Sequence, residues 1–261
     1  MRWVLLLAVV GCGTSSSAPS DSGVAESAPP VDSVPPPPAD AGHDAPGAGG
    51  WCATQSPKPT FCDDFDTGDL GATWDFFQQT PPGVGALDLA TFVSAPNAFG
   101  VRTKRCADGE IGSILLRKTV AGGASRAVVA FDVNADAVQA SGTLAIATLD
   151  LSTTHLLTLY LRDDDPNTPG PTLTEVAPGV SAPVRNPFTA VPAAAAFTHV
   201  VLDVDAANGH ATVAFNGTPA LSAAIAKAPV DSPTIRIGVL VTGPALPYTF
   251  DFDDVTFTLT P

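Results

Sequence analysis

The sequence predicts an all-β protein built as an antiparallel β-sandwich. Three observations support this fold class: short runs in which apolar and polar residues alternate, turn-forming residues between the runs, and almost no helical periodicity. The last run, Tyr248–Thr260, is the clearest, because Tyr248, Phe250 and Phe252 recur at a spacing of two. About a dozen such runs predict two sheets packed face to face.

The alternation in the last run slips by one residue at Asp253-Asp254 and continues at Val255, Phe257 and Leu259. Such a slip would turn the later side chains to the other face of the sheet. One extra residue, a β-bulge, keeps both halves facing the core. A similar slip within Thr143–Leu151 predicts a second bulge.

The charge of the 261-residue chain is strongly negative, −14 in total. Residues 51–261 carry 21 acidic and 11 basic side chains, a net of −10. This balance predicts that the protein does not bind nucleic acid, whose phosphates it would repel. Of the 26 acidic residues, 23 are Asp, which fits both a turn-rich β protein and metal sites made of oxygen ligands.

The N-terminus has the pattern of an export signal. Met1-Arg2 is positively charged, and Trp3–Val10 is an apolar run too short to span a bilayer. The run ends in Val9-Val10-Gly11-Cys12, which resembles the bacterial lipobox. The resemblance implies that residues 1–11 are removed and that Cys12 is diacylated, which would anchor the protein in a membrane. The alternative is a plain secretory signal with an incidental cysteine.

Residues 12–50 are predicted to form a disordered tether. Gly13–Gly50 has no aromatic residue, Leu, Ile, Lys or Arg, so it cannot bury enough apolar surface to fold. Gly13 directly after Cys12 implies, by resemblance to known sorting rules, the outer membrane of a bacterial cell envelope. The folded domain is then residues 51–261, on the extracytoplasmic side.

Within the domain, turn signals separate the predicted strands. In order, the strands are Trp74–Phe77, Ala86–Phe92, Ala98–Thr103, Ile111–Val120, Arg126–Asn134, Thr143–Leu151, Leu156–Arg162, Thr172–Val176, Phe197–Asp205, Ala211–Phe215, Ile235–Val239 and Tyr248–Thr260. Asn216-Gly217 predicts a hairpin turn. Pro178–Pro192 is predicted to be a loop or an edge strand, and Ala220–Ala228 is the one helix-like stretch.

Three cysteines lie in the domain. Outside the cytoplasm, the nearby pair Cys52 and Cys62 is predicted to form a disulfide that closes a small loop. Cys106 is then left over, and a Cys62–Cys106 pair is the next alternative.

Four sequence motifs lie in the C-terminal half of the chain: Phe197–Asp205, Gly209–Gly217, Ile235–Val239 and Phe252–Val255. Together they resemble the C-terminal half of concanavalin A-like, laminin G-like jelly rolls, a superfamily of β-sandwiches. The resemblance implies a jelly-roll fold in which Phe61–Phe65 lies in an opening strand, and a role in binding a glycan or a protein at the cell surface. The superfamily includes lectins, adhesion modules and glucanases, so an activity does not transfer with the fold.

No catalytic residue is predicted. Glucanases of this fold use a Glu-x-Asp-x-x-Glu strand, which is absent here, and the domain contains only Glu110 and Glu175. A Gly-x-Ser-x-Gly nucleophile motif is also absent. A glycan-active enzyme that uses Asp residues and a purely structural envelope protein are the rival interpretations.

The resemblance also implies a structural calcium ion. Binding modules of this fold often hold Ca²⁺ where the first and last strands meet, and the candidate ligands are Asp63, Asp64, Asp253 and Asp254, with Asp66 and Asp251 nearby. The alternative is a solvated face on which Asp residues cap turns. Asp163–Asp165 is a second oxygen-rich segment, but it departs from the EF-hand loop.

Overall fold

The computed structural model describes residues 50–261 except 71, 82, 108, 137–141, 167–168, 244 and 246. All of these residues lie in one compact unit, Ala45–Pro261. The predicted signal peptide, Cys12 and the tether up to residue 49 lie outside the described residues. The described part contains no helix that is long and apolar enough to cross a membrane.

One short 3-10 helix, Trp51–Thr54, precedes 17 strands in the described residues. In chain order, the strands are β1 (Phe61–Asp63), β2 (Phe76–Thr80), β3 (Val84–Asp88), β4 (Ala98–Arg102), β5 (Ile111–Thr119), β6 (Gly123–Ala124), β7 (Arg126–Ala135), β8 (Thr143–Ser152), β9 (His155–Asp163), β10 (Gly170–Val176), β11 (Val184–Pro187), β12 (Phe197–Asp205), β13 (His210–Phe215), β14 (Thr218–Ala224), β15 (Val230–Asp231), β16 (Thr234–Thr242) and β17 (Thr249–Thr260).

Two antiparallel sheets form a jelly-roll β-sandwich. Sheet A has eight strands in the order β14-β13-β12-β7-β17-β4-β3, with β1 paired to β17. Sheet B has seven strands in the order β11-β10-β9-β8-β16-β5-β2. Neighbours such as β7 and β17 lie far apart in the chain, so the fold depends on non-local pairing. The predicted all-β fold class is confirmed.

The two ends of the domain meet at β17. One half of its edge pairs with β4 and the other with β1, where Phe61 lies opposite Phe257. The predicted bulge is present, because the register against β7 shifts by one residue between Asp253 and Thr256. Asp254 takes the extra position with φ 50°. The second predicted bulge is confirmed against β9, because β8 advances two residues from Ala145 to Ala147 while β9 advances one.

The core lies between the sheets and is rich in phenylalanine. Phe99, Phe131 and Phe252 are fully buried, and the Phe252 ring lies 6.1 Å from Phe99 and 6.0 Å from Phe131 between ring centroids. Burying each of these rings contributes about 2–3 kcal/mol. Trp74 also lies in the core, with 5% exposure and its ring 5.0 Å from that of Phe61.

The helix-like interpretation of Ala220–Ala228 is wrong, because Thr218–Ala224 forms β14. Asn216 and Gly217 adopt φ 49° and 74°, the left-handed conformations of a tight hairpin turn. The turn places β14 against β13, and the backbone hydrogen bonds of the pair outweigh the intrinsic helix propensity of the alanines.

Several strands have other limits than predicted; for example, the predicted strand Trp74–Phe77 is β2, Phe76–Thr80. The predicted strand Ala86–Phe92 ends at Asp88, whose Oδ1 accepts a hydrogen bond from the backbone N–H of Ala90 at 2.8 Å and so begins a turn. Within Pro178–Pro192, β11 forms an edge strand of sheet B, as one of the two predicted alternatives had it.

The predicted disulfide between Cys52 and Cys62 is present. It ties the 3-10 helix to β1 and closes a short loop. Cys106 is buried and lies outside this disulfide, so the alternative Cys62–Cys106 pairing is wrong.

Candidate functional site

Asp63, one of the four predicted calcium ligands, faces inward and serves the fold. Its carboxylate accepts hydrogen bonds from the backbone N–H of Phe65 at 2.9 Å, from Trp74 Nε1 at 2.5 Å and from the Thr73 hydroxyl. Burial raises the pKa of Asp63, and these three donors lower it. The side chain therefore fixes the segment between β1 and Trp74.

Asp253 and Asp254 hold a loop against the bulge of β17. Asp253, fully buried, accepts hydrogen bonds from the backbone N–H groups of Val93 and Ser94 at 2.7 and 3.0 Å. Asp254 accepts one from the Ser94 hydroxyl at 2.7 Å. Burial, followed by the charge of Asp254, raises the pKa of Asp253 to about 8. Burial also raises the pKa of Asp254 to about 7.

Asp64 and Asp66 face the start of the described chain. Asp64 Oδ2 accepts a hydrogen bond from the Cys52 backbone N–H at 2.9 Å. Both carboxylate oxygens of Asp66 are buried without a well-formed hydrogen bond, although the backbone of Asn97 lowers its pKa. Burial and then the Asp64 charge outweigh that contribution and raise the pKa of Asp66 to about 6. Asp66 is therefore an underpaired carboxylate inside the protein.

The pairing of β1 with β17 brings two acidic segments, residues 63–66 and 251–254, close together. The side chains of the two segments nevertheless have separate partners. Asp64 and Asp66 both raise the pKa of Asp254 through their charges, so the three carboxylates lie within electrostatic range. Asp251 instead pairs with Arg102 at 3.0 Å. Among the residues that the structure describes, no three His, Cys, Asp or Glu side chains are placed to share one ion. The predicted calcium site stays a prediction.

His199 lies beside this region on the outer face of sheet A. His199 Nδ1 lies 3.2 Å from Asp132 Oδ1, and the pKa of His199 is raised chiefly by that hydrogen bond. Asp132 is the register partner of both His199 and Asp253. The pair extends the polar region beside Asp253 along the outer face of sheet A.

The outer face of sheet B carries a second polar surface, which the sequence did not reveal. Directly paired residues of an antiparallel sheet point to the same face, and the core leucines of β9, Leu157 and Leu159, alternate with residues that point outward. One line of paired residues crosses all seven strands, and we call it the arginine row. It consists of Arg185, Thr174, Thr158, Thr148, Arg236, Arg117 and Phe76.

A second line crosses the same seven strands beside the first, and we call it the hydroxyl row. It consists of Pro187, Thr172, Tyr160, Ala145, Leu240, Ser113 and Thr80. The Gln78 side chain on β2 donates to the Ser113 hydroxyl at 3.0 Å, and Ser113 donates to Thr80 at 3.0 Å. At roughly 4.8 Å per strand, each row is about 29 Å long.

The two rows combine an open aromatic ring with polar groups that have few partners. Phe76 is 48% exposed, and the Arg117 guanidinium lies 5.0 Å from its ring centroid. The Thr174 hydroxyl is buried without a hydrogen-bond partner. Burial raises the pKa of Tyr160, so this phenol stays a neutral hydrogen-bonding group. Such a surface can stack against a flat apolar face and hydrogen-bond to hydroxyl groups beside it.

A shallow hollow of about 370 Å³ lies elsewhere, between Ala124-Ser125, Ala206-Ala207 and Lys227–Pro229. Its lining is small and apolar apart from Ser125 and Lys227. It contains no carboxylate pair of the kind that a glycosidase needs.

No family model and no curated protein matches the sequence. The fold is similar to that of endo-β-1,4-glucuronan lyase from the fungus Trichoderma reesei, with a TM-score of 0.59, 13% identity, and coverage of 77% of this chain and 96% of that one. It is also similar to the cellulose induced protein Cip1, with a TM-score of 0.54, 14% identity, and coverage of 76% and 96%. At these identities the similarity shows a shared jelly-roll fold.

Proposed function

We propose that this protein is a lipid-anchored component of a bacterial cell envelope whose jelly-roll domain binds an extended glycan. The arginine row and the hydroxyl row carry the proposal, because their accessible side chains lie together on the outer face of sheet B. These are the exposed Phe76 ring, the exposed Arg117, and the half-buried Thr148, Tyr160 and Thr80. Sugar recognition uses these two elements together, stacking on a ring and hydrogen bonding to hydroxyls. The glucuronan lyase offers a precedent for glycan chemistry on the fold.

The glycan proposal is tested with a glycan array and the full chain in detergent. The Phe76→Ala variant removes the exposed ring of the face and is expected to weaken binding about tenfold, since stacking and buried area contribute about 1.5 kcal/mol. Phe197→Ala is the matched control, because Phe197 is a half-buried ring on β12 of sheet A. Equal losses in both variants would contradict the placement of the site.

The same experiment separates binding from catalysis and from a protein ligand. Release of new reducing or unsaturated sugar ends from a bound glycan would favour the enzyme. A silent array, together with a surface protein that the wild type captures and Phe76→Ala does not, would favour a protein ligand. If the domain binds neither a glycan nor a protein, the purely structural role would be favoured.

The anchor is tested separately from the domain. Cys12→Ser removes the thiol that the predicted diacylation requires, so the variant is expected to leave the membrane fraction and appear in the soluble extract. The double substitution Cys52→Ser with Cys62→Ser is the control for a general effect of losing cysteine. A Cys12→Ser protein that still pellets with membranes would refute the anchor.

We also propose that a calcium ion binds beside Asp66. The observation behind it is the pair of buried oxygens of Asp66 that lack well-formed hydrogen bonds. The charges of Asp64 and Asp254 act within range of Asp66, so a divalent cation held by the Asp66 carboxylate would offset the repulsion among the three groups without being bound by all of them. Calcium is expected to raise the melting temperature over that in EDTA, and to do so less in Asp66→Asn. An unchanged midpoint would remove the proposal.

A further inference from the structure

Two arginines of the arginine row face the same side of sheet B on adjacent strands. Arg117 of β5 and Arg236 of β16 are register partners, an arrangement in which like charges repel. Asp150 neutralises Arg236 through a two-pronged contact of 2.7 and 2.6 Å. Arg117 has no ion pair among the described residues, and its side chain is exposed. Arg117 is therefore the arginine of the row that has no ion pair among the described residues.

The position of Arg117 suits recognition of a planar anion. The Phe76 ring lies under its guanidinium at 5.0 Å, which restricts the orientation of the side chain. An arginine that stacks by its face keeps its N–H edge for a two-pronged hydrogen bond to a carboxylate. Asp75 and Asp150 feel the charge of Arg117 without pairing with it.

The positive charge stands out because the domain is acidic. With a net charge of −10 over residues 51–261, the domain as a whole repels polyanions. At physiological salt, charges act over roughly 8 Å, so the local surroundings decide which ligand is accepted. Three of the 11 basic residues of the domain, Arg117, Arg185 and Arg236, lie in this single row. A neutral glycan over Phe76 would cover Arg117 without giving its charge a partner, which is costly.

We propose that the glycan is a uronate-containing polysaccharide, one of whose carboxylates binds Arg117 while a sugar ring stacks on Phe76. The inference rests on the proposed glycan-binding face of sheet B and adds the chemical class of the ligand. No covalent step is involved.

The test compares polygalacturonate with its methyl-esterified form, using affinity electrophoresis of the full chain in detergent at physiological salt. Arg117→Gln is expected to weaken binding to polygalacturonate by about tenfold or more, the contribution of one hydrogen bond to a charged group. It should leave the weaker binding of the ester unchanged. Arg105→Gln is the matched control, because Arg105 is also exposed and lies in the loop before β5, roughly 20 Å of strand away from Arg117.

Each result decides between the two proposals. If wild type binds the ester as tightly as the acid, or if Arg117→Gln and Arg105→Gln lose equal affinity, the uronate assignment is wrong. Equal binding of dextran sulfate, with the same loss in Arg117→Gln, would also overturn it in favour of a general anion site. If Phe76→Ala and Arg117→Gln change no binding at all, the proposed face itself fails. If Phe76→Ala loses affinity and Arg117→Gln does not, only the assignment of a uronate ligand is overturned.

Discussion

The buried carboxylate of Asp253 should make the protein less stable as the pH rises. Its pKa is about 8 in the folded protein against 3.8 for the ordinary group, so between these values the folded state holds the proton that the unfolded chain releases. By linkage, the free energy of unfolding falls with pH over that interval. The neutral form of Asp253 is tolerated in this buried site, whereas the ionised form places a negative charge there next to the Asp254 carboxylate.

The size of the effect follows from the shift. One pH unit is worth up to 1.36 kcal/mol for one group, so from pH 5 to pH 8 Asp253 can contribute up to about 4 kcal/mol. Three backbone N–H groups, including those of Val93 and Ser94, donate hydrogen bonds to the Asp253 carboxylate and partly offset the cost of ionising it. We expect a loss of about 2 kcal/mol or more over the interval when no divalent cation is present.

Urea unfolding followed by tryptophan fluorescence measures this loss at pH 5, 6, 7 and 8 in EDTA. Asp253→Asn keeps an acceptor oxygen but cannot ionise, so its stability should fall less with pH than that of the wild type. The raised pKa values of Asp254 and Asp66 account for the fall that remains. Asp205→Asn is the control, because hydrogen bonds from Asn208 lower the pKa of Asp205, which should stay ionised throughout the range. A wild-type stability that is flat or rises from pH 5 to pH 8 would refute the reasoning.

Three further predictions concern the fold. Gly238→Ala should cost at least about 2 kcal/mol in urea unfolding, since its φ of 131° is strained for other residues and an added Cβ would lie 2.1 Å from the Ile114 carbonyl oxygen; an unaffected midpoint would contradict this geometry. Removing the disulfide with Cys52→Ser and Cys62→Ser should cost roughly 2–3 kcal/mol by loop entropy, which unfolding with and without reductant measures. Phe252→Ala should cost about 3–5 kcal/mol through the cavity it leaves, and a loss under 1 kcal/mol would show that the core repacks.

Local alternation was sufficient for most strands and for both bulges. In β17 the change of phase at Asp253-Asp254 was visible in the letters themselves, because a core-facing strand can absorb an extra residue only by a bulge. The failure at Ala220–Ala228 has the opposite cause. Alanine favours a helix, but so short a segment gains little stability as a helix, and pairing with the neighbouring β13 decided its conformation.

The candidate calcium ligands show how far proximity in a sheet can be inferred. The sequence placed Asp63 and Asp64 near Asp253 and Asp254, and the pairing of β1 with β17 does so. It did not give the directions of the side chains, which depend on donors from distant segments: Trp74 for Asp63, and Ser94 for Asp253. Asp66, the carboxylate with the fewest partners, had no distinguishing signal in the sequence.

The sequence by itself determined the strand content, the phase changes and the disulfide, because each depends on residues close together along the chain. Only the tertiary structure decided that Phe76, Arg117, Arg236 and Thr174 lie in one line. Sheet B joins β8 to β16 and β16 to β5, pairs separated by many other strands, and the register of such pairs is set by the packing of the whole core. A surface assembled by non-local pairing is therefore visible only once the two sheets have closed on each other.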